Sequence, residues 1–301
     1  MMVGTPRRLG GWWGPPLLFL LPAAILFGVF VAFPAIDALQ VSLCKWSGFT
    51  PRMEYVGVKN FERLLHDASF WSALQNNFLI LGAGGVVFFA FALLFAVALN
   101  HRFLRGRRFF QTLLFFPSFI SVVGTATLWK LMYDPKSGLL NLLLNALGVP
   151  GVQWLSTDHA MMSIIAMIVW ADVGGTMILL LAGMRRIPQD YFEAAEIDGA
   201  GVTQQFVHVT LPMMREVLII ALSLWMIGSM KIFGAVQALL APDISPKCHV
   251  VATLQYEYAF SNRSCVFLMG RATAMAVVQV LLVLALVWLV RRFRDKESVE
   301  Y

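Results

Sequence analysis

The sequence predicts an all-α membrane protein of six transmembrane helices with both termini in the cytoplasm. Three observations carry that prediction. Of the 301 residues, 59% are hydrophobic and only 13% charged, more apolar sequence than a water-soluble domain of this length needs. The apolar residues fall in long runs rather than narrow stripes, as a chain that contacts lipid requires. Lys and Arg gather beside the ends of those runs, where they act as orientation signals. The net charge of +6 is therefore no sign of a nucleic-acid partner, because no soluble face collects it.

Taken in order, Arg7 and Arg8 precede an interfacial aromatic pair, Trp12 and Trp13. The first span is expected from about Pro16 to Ile36. It is too long for a secretory h-region and lacks a convincing small-residue cleavage site, so it reads as a retained helix. A mixed-charge extracytoplasmic loop follows over 37–76, with Asn60 placed to cap a short amphipathic helix. The second span runs from about Asn77 to Leu99 and ends on Arg102, Arg105, Arg107 and Arg108. The third runs from about Phe109 to Met132. Turn signals at Asp134-Pro135 and Pro150-Gly151 mark a polar loop before the fourth, about Met161 to Ala182. The fifth runs from about Val217 to Leu240 and the sixth from about Gly270 to Val290. A basic tail over 291–301 closes the chain. Six spans put both termini on one side. That side carries thirteen of the loop and terminal Lys and Arg residues against seven on the other, which places it in the cytoplasm.

The longest charged and amide-rich run of the second half that cannot be a span extends from Glu193 to Pro212, EAAEIDGAGVTQQFVHVTLP. Pro188 breaks the preceding helix. Asp190 stands three residues before Glu193, the spacing of an N-cap and its returning carboxylate. A short helix from about Tyr191 to Asp198 is expected, stopped by Gly199. Thr203 is placed to cap a second one through Phe206, and Leu211-Pro212 opens the approach to the next span. Ala194, Ala195 and Ala200 keep the surface small enough for a partner to reach the backbone. A plain connector between two spans has the same local features.

Glu193-Ala194-Ala195, then Asp198-Gly199-Ala200, then Val209-Thr210-Leu211-Pro212 resembles the EAA motif. That motif marks the membrane subunits of binding-protein-dependent ABC importers, and the fuller string is similar to their sugar-permease branch. Tyr55 to Phe61, Trp129-Lys130 and Asp134-Pro135 are also similar to that branch, so the resemblance covers nearly the whole chain. It implies a type I (MetI-like) importer fold with its transmembrane core at 72–290 and a coupling loop at 190–212. There Glu193, Ala194, Ala195, Asp198, Gly199, Ala200, Leu211 and Pro212 would engage an ATPase. It implies a second, homologous permease, two cytoplasmic ATPase subunits that hold ATP and Mg, and an extracytoplasmic substrate-binding protein. It places the chain in the cytoplasmic membrane of a bacterium or archaeon, with a carbohydrate such as a di- or oligosaccharide as cargo. Glycerol phosphate or another polyol is an alternative. The chain departs from the branch at Glu216, which bears on the entry into the following helix, and at Gly234 and over Ala241 to Lys247, which bear on the cargo.

Two charges fall at membrane depth, Asp172 in the fourth span and Lys231 in the fifth. Each costs ~2.5–3.5 kcal/mol at a helix centre and needs a partner or a wet cavity. They are expected to pair or to line a hydrated passage, with helix-to-helix bonding as the structural alternative. As an ion-coupled pair they would suit a secondary transporter, a reading of another class. Trp225, Gln237 and Asn77, with Trp170 and Asn76, are further candidates for a sugar pathway, since aromatic faces and amides hold polyols. For each of these, packing is the more frequent use. Cys248 and Cys265 share one loop, leaving a disulfide or two free thiols open. No Gly-x-Ser-x-Gly, His-Glu-x-x-His or Gly-Lys-Thr string occurs. The chain is therefore expected to bind no cofactor itself and to leave ATP hydrolysis to another subunit.

Overall fold

The computed structural model describes residues 14–100, 104–260 and 268–294. It is built almost entirely of helices. α1 (Gly14–Phe27) and α2 (Phe33–Ser42) join through a π-helical turn, Gly28–Ala32. Their apolar side chains, Phe19, Phe30 and Phe33 among them, stay exposed, as a helix bathed in hydrocarbon requires. A two-stranded antiparallel hairpin follows, β1 (Cys44–Lys45) with β2 (Glu54–Tyr55), pairing Cys44 with Tyr55. Then come α3 (Lys59–Leu65) and α4 (Ala68–Leu79). The cap expected of Asn60 is not made. The N-cap of α3 is Val58, and Asn60 is buried inside the helix, donating to the carbonyls of Ser42 and Cys44 at 2.9 Å each. Its amide serves the carbonyl at the end of α2, left without a helical partner, and the Cys44 carbonyl of β1.

α4 continues through a π-turn, Ile80–Gly84, into α5 (Gly85–Asn100). α6 (Arg107–Phe115), with a 3₁₀ turn at Phe116–Phe119, meets α7 (Val122–Met132) at an angle of 101°. The third span is thus broken, not continuous as the hydropathy suggests. Pro117 lies in the turn, Ser121 caps α7 by accepting from the Gly124 N–H at 3.2 Å, and Ser118 Oγ donates to the Ala171 carbonyl at 2.8 Å. α8 (Leu139–Ala146) leads to α9 (Ala160–Met184).

α9 is the hub of the bundle. Most of its length is buried against α5, α6, α7 and α13. At Gly174 the backbone of α6 comes so near that an added Cβ would stand 2.2 Å from the Leu114 carbonyl oxygen. Small residues let membrane helices approach this closely when no water-driven force holds them together. The core around α9 takes in Phe88, Trp129, Met177, Leu180 and Trp225.

α10 (Gln189–Ile197) and α11 (Val202–Gln205) are short, and a π-turn, Phe206–Thr210, carries the chain into α12 (Leu211–Met213). α13 (Arg215–Met230) then turns by 72° relative to the preceding run. α14 (Gly234–Leu240) is separated from α13 by 231–233, so the fifth span also breaks, at Lys231, where one helix to Leu240 was expected. α15 (Val251–Phe260) and α16 (Met269–Arg294) complete the chain. Near the first turn of α4, Asp67 caps the helix through Ser69 N–H at 3.0 Å and accepts from Tyr258 Oη at 2.7 Å. Burial, then the Asp67 carboxylate, push the Tyr258 phenol up to about 12, so it remains a donor.

Among the described residues four helical stretches are long and apolar enough to cross a membrane, or six if each bent pair counts as one span. One end of the bundle gathers the hairpin, α3, the loop before α9 and α15. The opposite end gathers the start of α6, the end of α9 and α10 to α12.

Candidate functional site

Two features stand out: a polar projection at one end of the bundle and a cavity within it. The projection begins where α9 stops. Pro188, at ψ 142°, is the N-cap residue of α10. It makes no side-chain cap, so the Asp190–Glu193 capping box is absent. Asp190 lies inside the first turn instead, where its charge still complements the helix dipole. The stop is as expected. Gly199 takes φ +79°, its N–H donates to the Glu196 carbonyl at 3.0 Å, and the Ala200 N–H reaches the Ala195 carbonyl at 2.9 Å. These two bonds make a Schellman motif. The second short helix is capped at Gly201, not Thr203. Gln204 Oε1 accepts from the Gly201 N–H at 2.9 Å, and Thr203 sits two residues too late, inside the helix. Leu211-Pro212 opens α12, with Pro in the first turn.

Glu193, Ala194, Glu196, Asp198 and Gly199 are exposed, with Ala195 and Ala200 half-buried. Ile197 and Val202 flank the turn at 87% and 81% exposure. An acidic ridge, small residues and two bare aliphatic side chains thus project from one end of the bundle. Exposed apolar groups beside a charged rim are what a protein partner covers. Phe206 packs back onto the main core and Thr210 is buried, so the projection is anchored to the bundle.

The cavity has a volume of about 500 Å³ and lies where α7, α9, α13 and the start of α14 meet. Trp225 lines it, stacked on Phe88 with centroids 4.3 Å apart. Its indole N–H donates to the Leu81 carbonyl at 3.0 Å, a backbone group in the π-turn between α4 and α5. Asp172 opens onto the same space with Thr125 and Thr176. Thr125 is 3% exposed and its Oγ1 has no hydrogen-bond partner.

The pairing expected between Asp172 and Lys231 does not form. Lys231 is exposed at the break after α13 and does not line the cavity. The break turns its neighbours Ile232 and Phe233 to the cavity instead. Gln237 also lies elsewhere, in a small polar pocket with Asp243, His249 and Glu257. Asn77 is fully buried and its amide is spent on structure. Nδ2 donates to the carbonyls of Ser229 at 2.9 Å and Met230 at 3.3 Å, and Oδ1 accepts from the Val251 N–H at 2.9 Å. Cys248 is buried, its thiol 3.7 Å from the Thr157 carbonyl, and burial, then the Asp158 charge, push its pKa up, so the thiol stays protonated more readily. Cys265 lies outside the described residues.

Sequence reasoning missed Gln279. This α16 side chain donates to the Met230 carbonyl and accepts from Gln255 Nε2 at 2.9 Å. Asn77 and Gln279 together take up carbonyls that the break after α13 leaves without helical donors, which hydrocarbon cannot satisfy. A lone amide inside the apolar run of the sixth span was the available signal. Thr125 and Thr176 gave none, because hydroxyls in membrane helices commonly bond their own backbone.

Comparison with known proteins adds to this geometry. The family described as "Binding-protein-dependent transport system inner membrane component" matches residues 89–298. A probable ABC transporter permease protein of Bacillus subtilis, YurN, is 35% identical over 275 residues, 90% of this chain and 92% of that protein. The trehalose/maltose transport system permease protein MalF of Thermococcus litoralis is 32% identical over 246 residues, 80% of this chain and 82% of that protein. A chain of a bacterial ABC transporter involved in import of the acidic polysaccharide alginate superposes with a TM-score of 0.82. It covers 95% of this chain and 96% of its own length at 23% identity. At that identity the likeness is one of fold.

Proposed function

We propose that this chain, which belongs to the family of binding-protein-dependent transport system inner membrane components, is a permease subunit of an ATP-driven importer that carries a di- or oligosaccharide. The observation that carries the reading is the projection at 189–213, built as a capped, exposed and partly acidic helix pair fixed to the bundle core. Such a projection suits a cytoplasmic ATPase subunit that grips it and moves the bundle as a lever. The excess of Lys and Arg at the same end of the sequence topology supports a cytoplasmic position for it. Relatives that carry trehalose and maltose, diacetylchitobiose or lactose support a carbohydrate as cargo.

In this mechanism an extracytoplasmic binding protein delivers the sugar to a pathway between this chain and a second, homologous permease. Two ATPase subunits bind ATP and Mg and close on each other. Glu193 docks by charge, Ala194, Ala195 and Ala200 let the ATPase approach the backbone, and the Gly199 turn fixes the angle of the lever. Asp198, Leu211 and Pro212 hold the turn and the path back to the bundle. The bundle then alternates between outward- and inward-facing states, and the cavity lined by Asp172 and Trp225 is the substrate's passage through this half.

The test is a pull-down of the tagged chain from mild detergent, wild type beside Glu193→Lys, with the co-purifying subunits identified by mass spectrometry. The expected result is an ATPase and a second permease with the wild type, and loss of the ATPase with the variant. A wild-type chain that purifies alone, stably and repeatedly, contradicts the reading.

A further inference from the structure

The central cavity carries one formal charge, and its sign is informative. Among the described residues that line it, Asp172 is ionisable and no Lys, Arg or His is present. The nearby cation in the sequence, Lys231, is exposed at the break after α13 and does not line the cavity. Asp172 has no hydrogen bond or ion pair among the described residues, so its carboxylate oxygens are open to whatever enters. Thr125, from α7, also lines the cavity and presents a buried Oγ1 with no partner. A buried hydroxyl without a partner is rare and points to a group supplied from outside the chain. Trp225, stacked on Phe88, adds an aromatic side chain to the lining. At about 500 Å³ the space falls within the size range of small-molecule sites.

These groups match one cargo chemistry and oppose another. A carboxylate accepts hydrogen bonds from sugar hydroxyls or from an ammonium group. It repels a uronate or a sugar phosphate, and the mostly apolar walls weaken the screening that water would otherwise give. Resting on the importer reading above, we infer that Asp172 makes this permease selective for neutral or amine-bearing sugars and closes the passage to acidic ones. Selectivity of this kind is a difference between two affinities, set here by repulsion of the wrong cargo as much as by attraction of the right one.

The experiment measures uptake into membrane vesicles that hold the whole transporter with its binding protein. The probes are labelled trehalose, a glucosamine disaccharide and a galacturonate disaccharide. Wild type is compared with Asp172→Asn, Asp172→Ser and Asp172→Glu. The binding protein is the same throughout, so a change in the neutral-to-acidic ratio belongs to the cavity. The expected result is that Asn and Ser narrow the ratio by about tenfold, the scale of one lost charged interaction, while Glu keeps it. A ratio unchanged in both neutral variants overturns the inference, as does wild-type uptake of the galacturonate probe as fast as trehalose. If the wild type moves none of the probes, the carbohydrate reading fails and the charge rule falls with it.

Discussion

At the scale of single residues, Gly199 offers the cleanest test of how the projection is shaped. An added Cβ there meets nothing within 4 Å, yet φ is +79°. A side chain at this position therefore acts through the backbone alone, at a cost of about 1–2 kcal/mol for the left-handed conformation. Gly199→Val is expected to undo the Schellman turn and cut ATPase recovery in the pull-down several-fold. Gly199→Asn, which tolerates that conformation better, should retain most of it. Equal recovery with Val and with glycine would show that the turn does not set the docking angle. This residue was legible in the sequence because one conformation has one usual occupant. The caps were not. Asp190, Thr203 and Asn60 each had the right chemistry one or two positions from a helix start, and Pro188, Gly201 and Val58 took the cap positions.

At the scale of elements, the break between α13 and α14 organises the cavity. It turns Ile232 and Phe233 inward and leaves the Ser229 and Met230 carbonyls to Asn77 and Gln279. Asn77→Leu or Gln279→Leu leaves buried acceptors unmet, at roughly 1–3 kcal/mol each. Both variants should lower the thermal unfolding temperature in detergent. The double variant should fall short of the sum, because the two amides share the Met230 carbonyl. Additive losses would mean that the amides act independently. Hydropathy could not reveal this break. Ile232 and Phe233 are apolar and no proline marks the site, so the window reads through it. The same blindness hid the 101° bend in the third span, where Pro117 was the visible clue. Asp172 was legible as a charge at depth, but its relation to Lys231 depends on where the helix ends, which composition does not encode.

At the scale of the whole molecule, the fold joins the cavity wall and the projection through one helix and a short link. α9 lines the cavity through Asp172 and Thr176, and it ends at Met184, five residues before α10 begins. On the proposed importer reading, this helix is the path by which movement of the projection would reach the cavity wall. The class of the protein was legible from this level downward, because lipid demands long apolar helices and the sequence lays them out as separate runs. The lining of the cavity was not, because it comes from segments far apart in sequence and set by two breaks. The most direct test of the central claim measures sugar uptake and ATP hydrolysis together in vesicles carrying the assembled transporter, wild type beside Glu193→Lys. The account predicts that the variant reaches the membrane in normal amount but loses uptake, along with the rise in hydrolysis that loaded binding protein causes in the wild type. Uptake by the variant at the wild-type rate would contradict it, and would move the engine of transport away from the loop at 189–213.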